Sequence, residues 1–139
     1  MKTICILLFL SIVCSSCEVE GDLTRSELRN TSVAPNAELK FMGNFSPESG
    51  INVTGGVKIY QSNNLYQLQL DDFTISGGPD LKVYLSQSST PTEFVNLGNL
   101  NPTVIYNIPP QVNLNVYKYV LIHCQQYNHL FAVALLTEI

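Results

Sequence analysis

Apolar and polar side chains alternate with a two-residue period through most of this chain after residue 38, the spacing of strands that turn one face to a core. Leu39, Phe41 and Phe45 alternate with polar neighbours, and Ser46, Pro47, Glu48, Ser49 and Gly50 then supply turn chemistry. Val53 to Gln61 follows with Val57 and Ile59 on one side, and the Gly55-Gly56 pair inside it predicts a bulge or a close backbone approach. Ser62, Asn63 and Asn64 predict a hairpin turn into Leu65 to Phe73, where Tyr66, Leu68 and Leu70 oppose Gln67, Gln69 and Asp71. Ser76-Gly77-Gly78-Pro79-Asp80 is the densest turn signal in the chain. Beyond it Leu81, Val83 and Leu85 resume the period against Lys82, Tyr84 and Ser86. A polar loop from Gln87 to Glu93 leads to the short apolar stretch Phe94 to Leu97. Val104, Tyr106 and Ile108 then alternate up to Pro109-Pro110, which cannot continue a ladder.

Two later runs break the one-sided pattern. Tyr117 to Gln126 is largely apolar on both faces, which predicts a strand in the middle of a sheet and makes Cys124 a core residue. Leu130 to Thr137 predicts a second interior strand after a turn at Asn128. The sum is about eight short strands and no helix, hence an all-β fold: an antiparallel β-sandwich or barrel.

With 139 residues the chain has room for one such domain, and a charged fraction of only 13% excludes a wholly disordered protein. The net charge of −4 leaves no basic stripe to neutralise phosphates, so nucleic acid is not an expected partner. No GxSxG, P-loop or HExxH pattern is present, and the two histidines are a thin supply of general bases, so ordinary enzymatic catalysis is not expected.

The first residues read as a targeting element. Lys2 is a minimal positive start, and Ile4 to Val13 is an apolar run of about ten residues, the length of a signal-peptide core and too short to span a bilayer. Ser15-Ser16-Cys17 after that run resembles a bacterial lipoprotein cleavage site, in which Cys17 would carry lipid, although Cys14 stands where that pattern prefers Leu or Val. The expected division is a signal peptide over residues 1–16, a polar lipidated tether over 17–37 and a β domain over 38–139. The expected location is the bacterial cell envelope, on an outer membrane reached through the lipid. Glu18, Glu20 and Asp22 resemble the acidic stretch that directs some lipoproteins to the cell surface, although a solvated linker would look the same. On this division Cys5 and Cys14 leave with the signal peptide, Cys17 is acylated, and Cys124 is the sole thiol of the mature domain.

The order of three segments resembles a known family. Gly78-Pro79-Asp80-Leu81 before Val83-Tyr84-Leu85-Ser86, Leu97-Gly98-Asn99-Leu100 before Tyr106-Asn107-Ile108-Pro109, and Tyr119 to Cys124 before Phe131 to Leu135 are similar to the DM-thirteen domain, also called the electron-transfer DM domain. The likeness runs from about Phe45 to Leu136. It implies an extracellular all-β module with a redox-linked accessory role, a redox partner protein, and a cysteine, here Cys124, acting as a thiol or as a haem ligand. Two positions depart from it: His123 where the family favours tryptophan, and Ala132 after Phe131 where it favours glycine.

For the residues themselves three readings of Cys124 stand side by side: a packed thiol, a redox thiol, and a metal or haem ligand. A redox thiol needs a nearby cation, helix N-terminus or metal, together with access. Lys118 lies roughly 20 Å away along an extended strand. His123 should point to the opposite face unless a bulge intervenes, whereas His129 could fold back towards the strand end. No CxxCH motif is present for covalent haem attachment. Asp71, Asp72 and Asp80 flank the glycine-rich turn and could meet a hard cation, although turn solvation and capping of backbone groups is the commoner explanation. The competing function is a non-catalytic surface module that binds a protein, a glycan or a small ligand over a sheet face or at the Gly77 to Asp80 loop.

Overall fold

The computed structural model describes residues 31–139. The signal segment 1–16, Cys17 and the tether up to residue 30 lie outside these described residues. Nine strands follow in order: β1 Glu38–Pro47, β2 Val53–Ser62, β3 Leu65–Ile75, β4 Leu81–Ser86, β5 Phe94–Asn99, β6 Ile105–Ile108, β7 Tyr119–Cys124, β8 His129–Leu135 and β9 Thr137–Glu138. All pairings are antiparallel, and the strand order is β5-β4-β7-β8-β1-β2-β3-β6, with β9 added to β1. The two end strands, β5 and β6, approach one another, so the sheet curls into a nearly closed barrel.

The alternating pattern becomes the inside of that barrel. Val57 and Ile59 of β2, Leu68 and Leu70 of β3, Val83 and Leu85 of β4, and Val120 and Ile122 of β7 are all buried in one apolar cluster. Burying each of these side chains contributes about 1.5–3 kcal/mol relative to leaving it in water. The ladder between β2 and β3 is irregular at one point. The register shifts between Thr54 and Gly56, where Gly55 (φ 87°) faces both Asp72 (φ 45°) and Phe73, so the extra residue of the bulge is on β3 and Gly55 makes the expected close backbone approach. The hairpin between β2 and β3 turns through Asn63 and Asn64, both left-handed at φ 50° and 62°, a pairing whose twist matches the flanking strands.

Several boundaries differ from expectation. β1 runs on to Pro47, because its last residues pair with β8. The central strand is shorter at both ends than Tyr117 to Gln126. Tyr117 closes a turn on Asn113, the Lys118 amide donates to the Val116 carbonyl, and Gln125 to Asn128 form the next turn. Beyond Leu135 the chain breaks step, and β9 crosses to the edge of β1.

A tyrosine hydroxyl bridges the open side of the barrel. The Tyr106 hydroxyl of β6 donates to the Asn99 carbonyl at the end of β5 (2.7 Å) and accepts from the Asn101 amide (2.7 Å), so the strands hold together without a ladder between them.

Candidate functional site

Cys124 is the last residue of β7, the strand flanked by β4 and β8. Its Cα partners are Leu81 on β4 and His129 on β8. The thiol is inside: Cys124 has no exposed surface and belongs to the apolar cluster with Ile122, Val83 and Phe131. Two-period geometry sends Val120, Ile122 and Cys124 into the barrel and Tyr119, Leu121 and His123 out of it.

The expected neighbours separate accordingly. His129 is opposite Cys124 in register, yet its residue is exposed and its ring meets Phe131 edge-on with centroids 5.4 Å apart. His123 stays on the outer face. A register shift does occur between Ile122 and His123, but it leaves the extra residue, Phe131, on β8. Asp80 sits at the mouth of the barrel. Its carboxylate meets the Lys82 ammonium at 2.7 Å and its carbonyl accepts from the Gln125 amide at 3.0 Å, so this loop is stitched to the end of β7 next to Cys124. Asp71 is engaged in the same way by Lys58 at 2.8 Å. Both carboxylates thus face an ammonium. Among the described residues no three His, Cys, Asp or Glu side chains gather in one place.

Directly above this stretch is a groove of about 640 Å³, within the size range of small-ligand sites. Phe73 to Ile75 form one wall, Leu81, Lys82 and Asn99 the other, and Gly78 to Asp80 the rim. The Gly78 backbone rests against side chains rather than beside them. A β-carbon at that position would come within 2.9 Å of Leu81 and 3.0 Å of the Phe131 ring. Leu81 lines the groove and is the register partner of Cys124, and Phe131 shares the buried apolar cluster with the thiol.

A haem does not suit this arrangement. Cys124 and His123 project to opposite sides of β7, and the walls of the groove present no histidine, cysteine or methionine. The donor set for axial ligation is not assembled at either place.

On the outer face the sequence reading did not foresee an aromatic stack. Tyr84 lies parallel to Phe94 with centroids 4.2 Å apart, and His123 stacks on the other side of Tyr84 at 5.3 Å. The signal was available in hindsight, since Tyr84 and His123 belong to the outward sets of adjacent strands, but their pairing is a matter of long-range register. His123 is only 4% exposed, and its Nδ1 has no hydrogen-bond partner. Burial holds this imidazole below the usual histidine range; a side-chain hydrogen bond with Asn128 opposes that effect, and the neighbouring His129 adds to it. The unfolded chain then binds a proton more readily than the folded one, so stability should be complete above pH 6.5, the ordinary value, and fall as the pH drops below it. Lys82, Tyr84 and Leu130 on the adjoining strands and His129 beyond the turn complete the setting, and none offers a carboxylate. His123→Phe should change stability at neutral pH by no more than about 1 kcal/mol. It should flatten the acid slope, measured as urea denaturation at a series of pH values. An unchanged slope would assign the acid sensitivity elsewhere.

No curated protein matches the chain at a significant level, and no solved structure does so either. Residues 44–136 match the family described as electron transfer DM13, a span that begins within β1, ends just after β8 and contains the groove, its rim and Cys124. The chain is a member of the electron transfer DM13 family.

Proposed function

We propose that this chain is a lipid-tethered module of the bacterial envelope that works beside an electron-transfer partner, with Cys124 as its redox group. Family membership supports the electron-transfer context. The observation that carries the role of Cys124 is its place: its register partner is Leu81, a residue that also lines the groove. The thiol is sealed at rest, so its chemistry requires a local opening in which Leu81 and Phe131 move aside. The step is thiol–disulfide exchange with a partner protein's disulfide. A bond forms between Cys124 Sγ and one partner sulfur while the partner's S–S bond breaks, and the proton of Cys124 passes to the departing thiolate.

The complete burial of Cys124 supports a second reading, in which the thiol is core packing and the domain functions by binding at the groove rim. Both readings predict slow labelling of the folded chain by a disulfide reagent, and its dependence on urea separates them. The redox reading expects a rate that changes little at low urea, as a local opening does. A rate that tracks global unfolding throughout would remove the redox role and leave the second reading.

The anchor has its own test. The Cys17 lipid would contribute about 0.8 kcal/mol per buried methylene, so Cys17→Ser should move the chain from the membrane to the soluble fraction with unaltered denaturation behaviour. Retention of Cys17→Ser on the membrane would exclude the lipid as the tether.

A further inference from the structure

The end of β7 carries a buried imidazole and a buried thiol on consecutive residues, His123 and Cys124. Both pair with the beginning of β8, His123 with Leu130 and Cys124 with His129. The turn that joins these partners, Gln125 to Asn128, is exposed along its whole length. Two backbone bonds hold it: a long one of 3.3 Å from the Asn128 amide to the Gln125 carbonyl, and one of 3.0 Å from the Gln125 amide to the Asp80 carbonyl.

The His123 ring is held from two elements. Tyr84 stacks on it, and the Asn128 side chain bonds it from the turn, yet Nδ1 is buried without a partner. A neutral imidazole carries hydrogen on one ring nitrogen, the cation on both. The cation would therefore bury an N–H at Nδ1 that faces no acceptor, and leaving a charged donor unsatisfied is costly. The groups around the ring do not offset that charge. Tyr84 is neutral, Leu130 apolar, Lys82 a cation whose ammonium already engages the Asp80 carboxylate, and His129 opposes a second positive charge. Of the two supports, Tyr84 sits on β4, paired on both sides by β5 and β7, whereas Asn128 belongs to the exposed turn. Moving the turn is the cheaper way to bring water to the ring.

We propose that protonation of His123 releases the Gln125 to Asn128 turn and thereby uncovers the Cys124 thiol, so that acid controls access to it. Release draws His129 away from Cys124, and Phe131, two residues further along β8, follows. The device regulates the thiol chemistry of the preceding section and rests on that reading. Burial disfavours the charged ring only while the turn is closed, so the open form binds the proton more readily. Its population should grow as the pH falls below 6.5, by at most about tenfold per pH unit for a single proton.

The test labels the full-length chain in detergent micelles with a dipyridyl disulfide at pH values on both sides of 6.5 and at several low urea concentrations. Modification is read on the peptide containing Cys124 by mass spectrometry. Dividing each rate by that of the urea-unfolded chain at the same pH removes the pH dependence of the reagent and the thiol. The expected result is a relative rate that rises below pH 6.5 and changes little with low urea. His123→Phe and His123→Leu, each checked by denaturation curves, should abolish the rise, and His129→Gln should keep it. A rise that survives both His123 variants, or that His129→Gln alone removes, overturns the proposal. A rate insensitive to urea and flat with pH overturns the switch and leaves the redox reading standing. Labelling that tracks global unfolding at every pH overturns both.

Discussion

Gly55→Ala should destabilise the domain by about 3–4 kcal/mol, the largest effect expected of any substitution this small. Two costs combine. The φ of 87° lies where an L side chain is crowded by its own backbone, and a β-carbon there would come within 2.4 Å of the Asp72 carbonyl oxygen and 2.5 Å of that of Asp71. Neither oxygen is the end of a flexible side chain, so the bulge itself must open. Phe73, a wall of the groove, follows directly on Asp72, so the damage should spread to the groove as well as to β2 and β3. Urea denaturation gives the magnitude and amide exchange the location. A loss under about 1 kcal/mol would show that the bulge relaxes freely.

Tyr106→Phe should come next, at about 2 kcal/mol. The ring would remain packed, so the loss isolates the hydroxyl. Without it the Asn101 amide loses its acceptor and the Asn99 carbonyl loses its donor, both partly sheltered from water. The expected signature is local: faster amide exchange across residues 99–106, with β2 and β7 little affected. Uniform acceleration over the whole barrel would mean that the seam and the core open as one unit.

How far the fold can be read from the residues depends on the range of the interaction. Face assignment is local, and the Leu68 and Leu70 set, the Val57 and Ile59 set and the two-sided burial of β7 all follow from period and composition. Turn chemistry is local too, which is why Asn63-Asn64 and Gly55-Gly56 could be placed in advance. Strand ends were less legible. Tyr117 and Lys118 look like a continuation of the Val120 and Ile122 pattern, and the hydrogen bonds from Tyr117 to Asn113 and from Lys118 to Val116 remove them from the strand. The site was half legible. Cys124 in the interior followed from its neighbours, and the family likeness agreed with the match over residues 44–136. The groove did not follow. It arises because β6 is short, and the length of a pairing between residues some 40 positions apart is not encoded in either segment alone. The orphaned nitrogen of His123 has the same origin, since it depends on what β4 and the turn at Asn128 place around the ring.

The path of β3 also orients the whole domain. The described chain starts beside the lower end of this strand, where the Ala34 amide bonds the Gln67 side chain, and the groove is at the upper end, alongside Thr74. Seven residues of extended chain separate these points, a rise on the order of 23 Å. The groove is thus at the opposite end of β3 from the point where the described chain begins, with most of the strand's length between them.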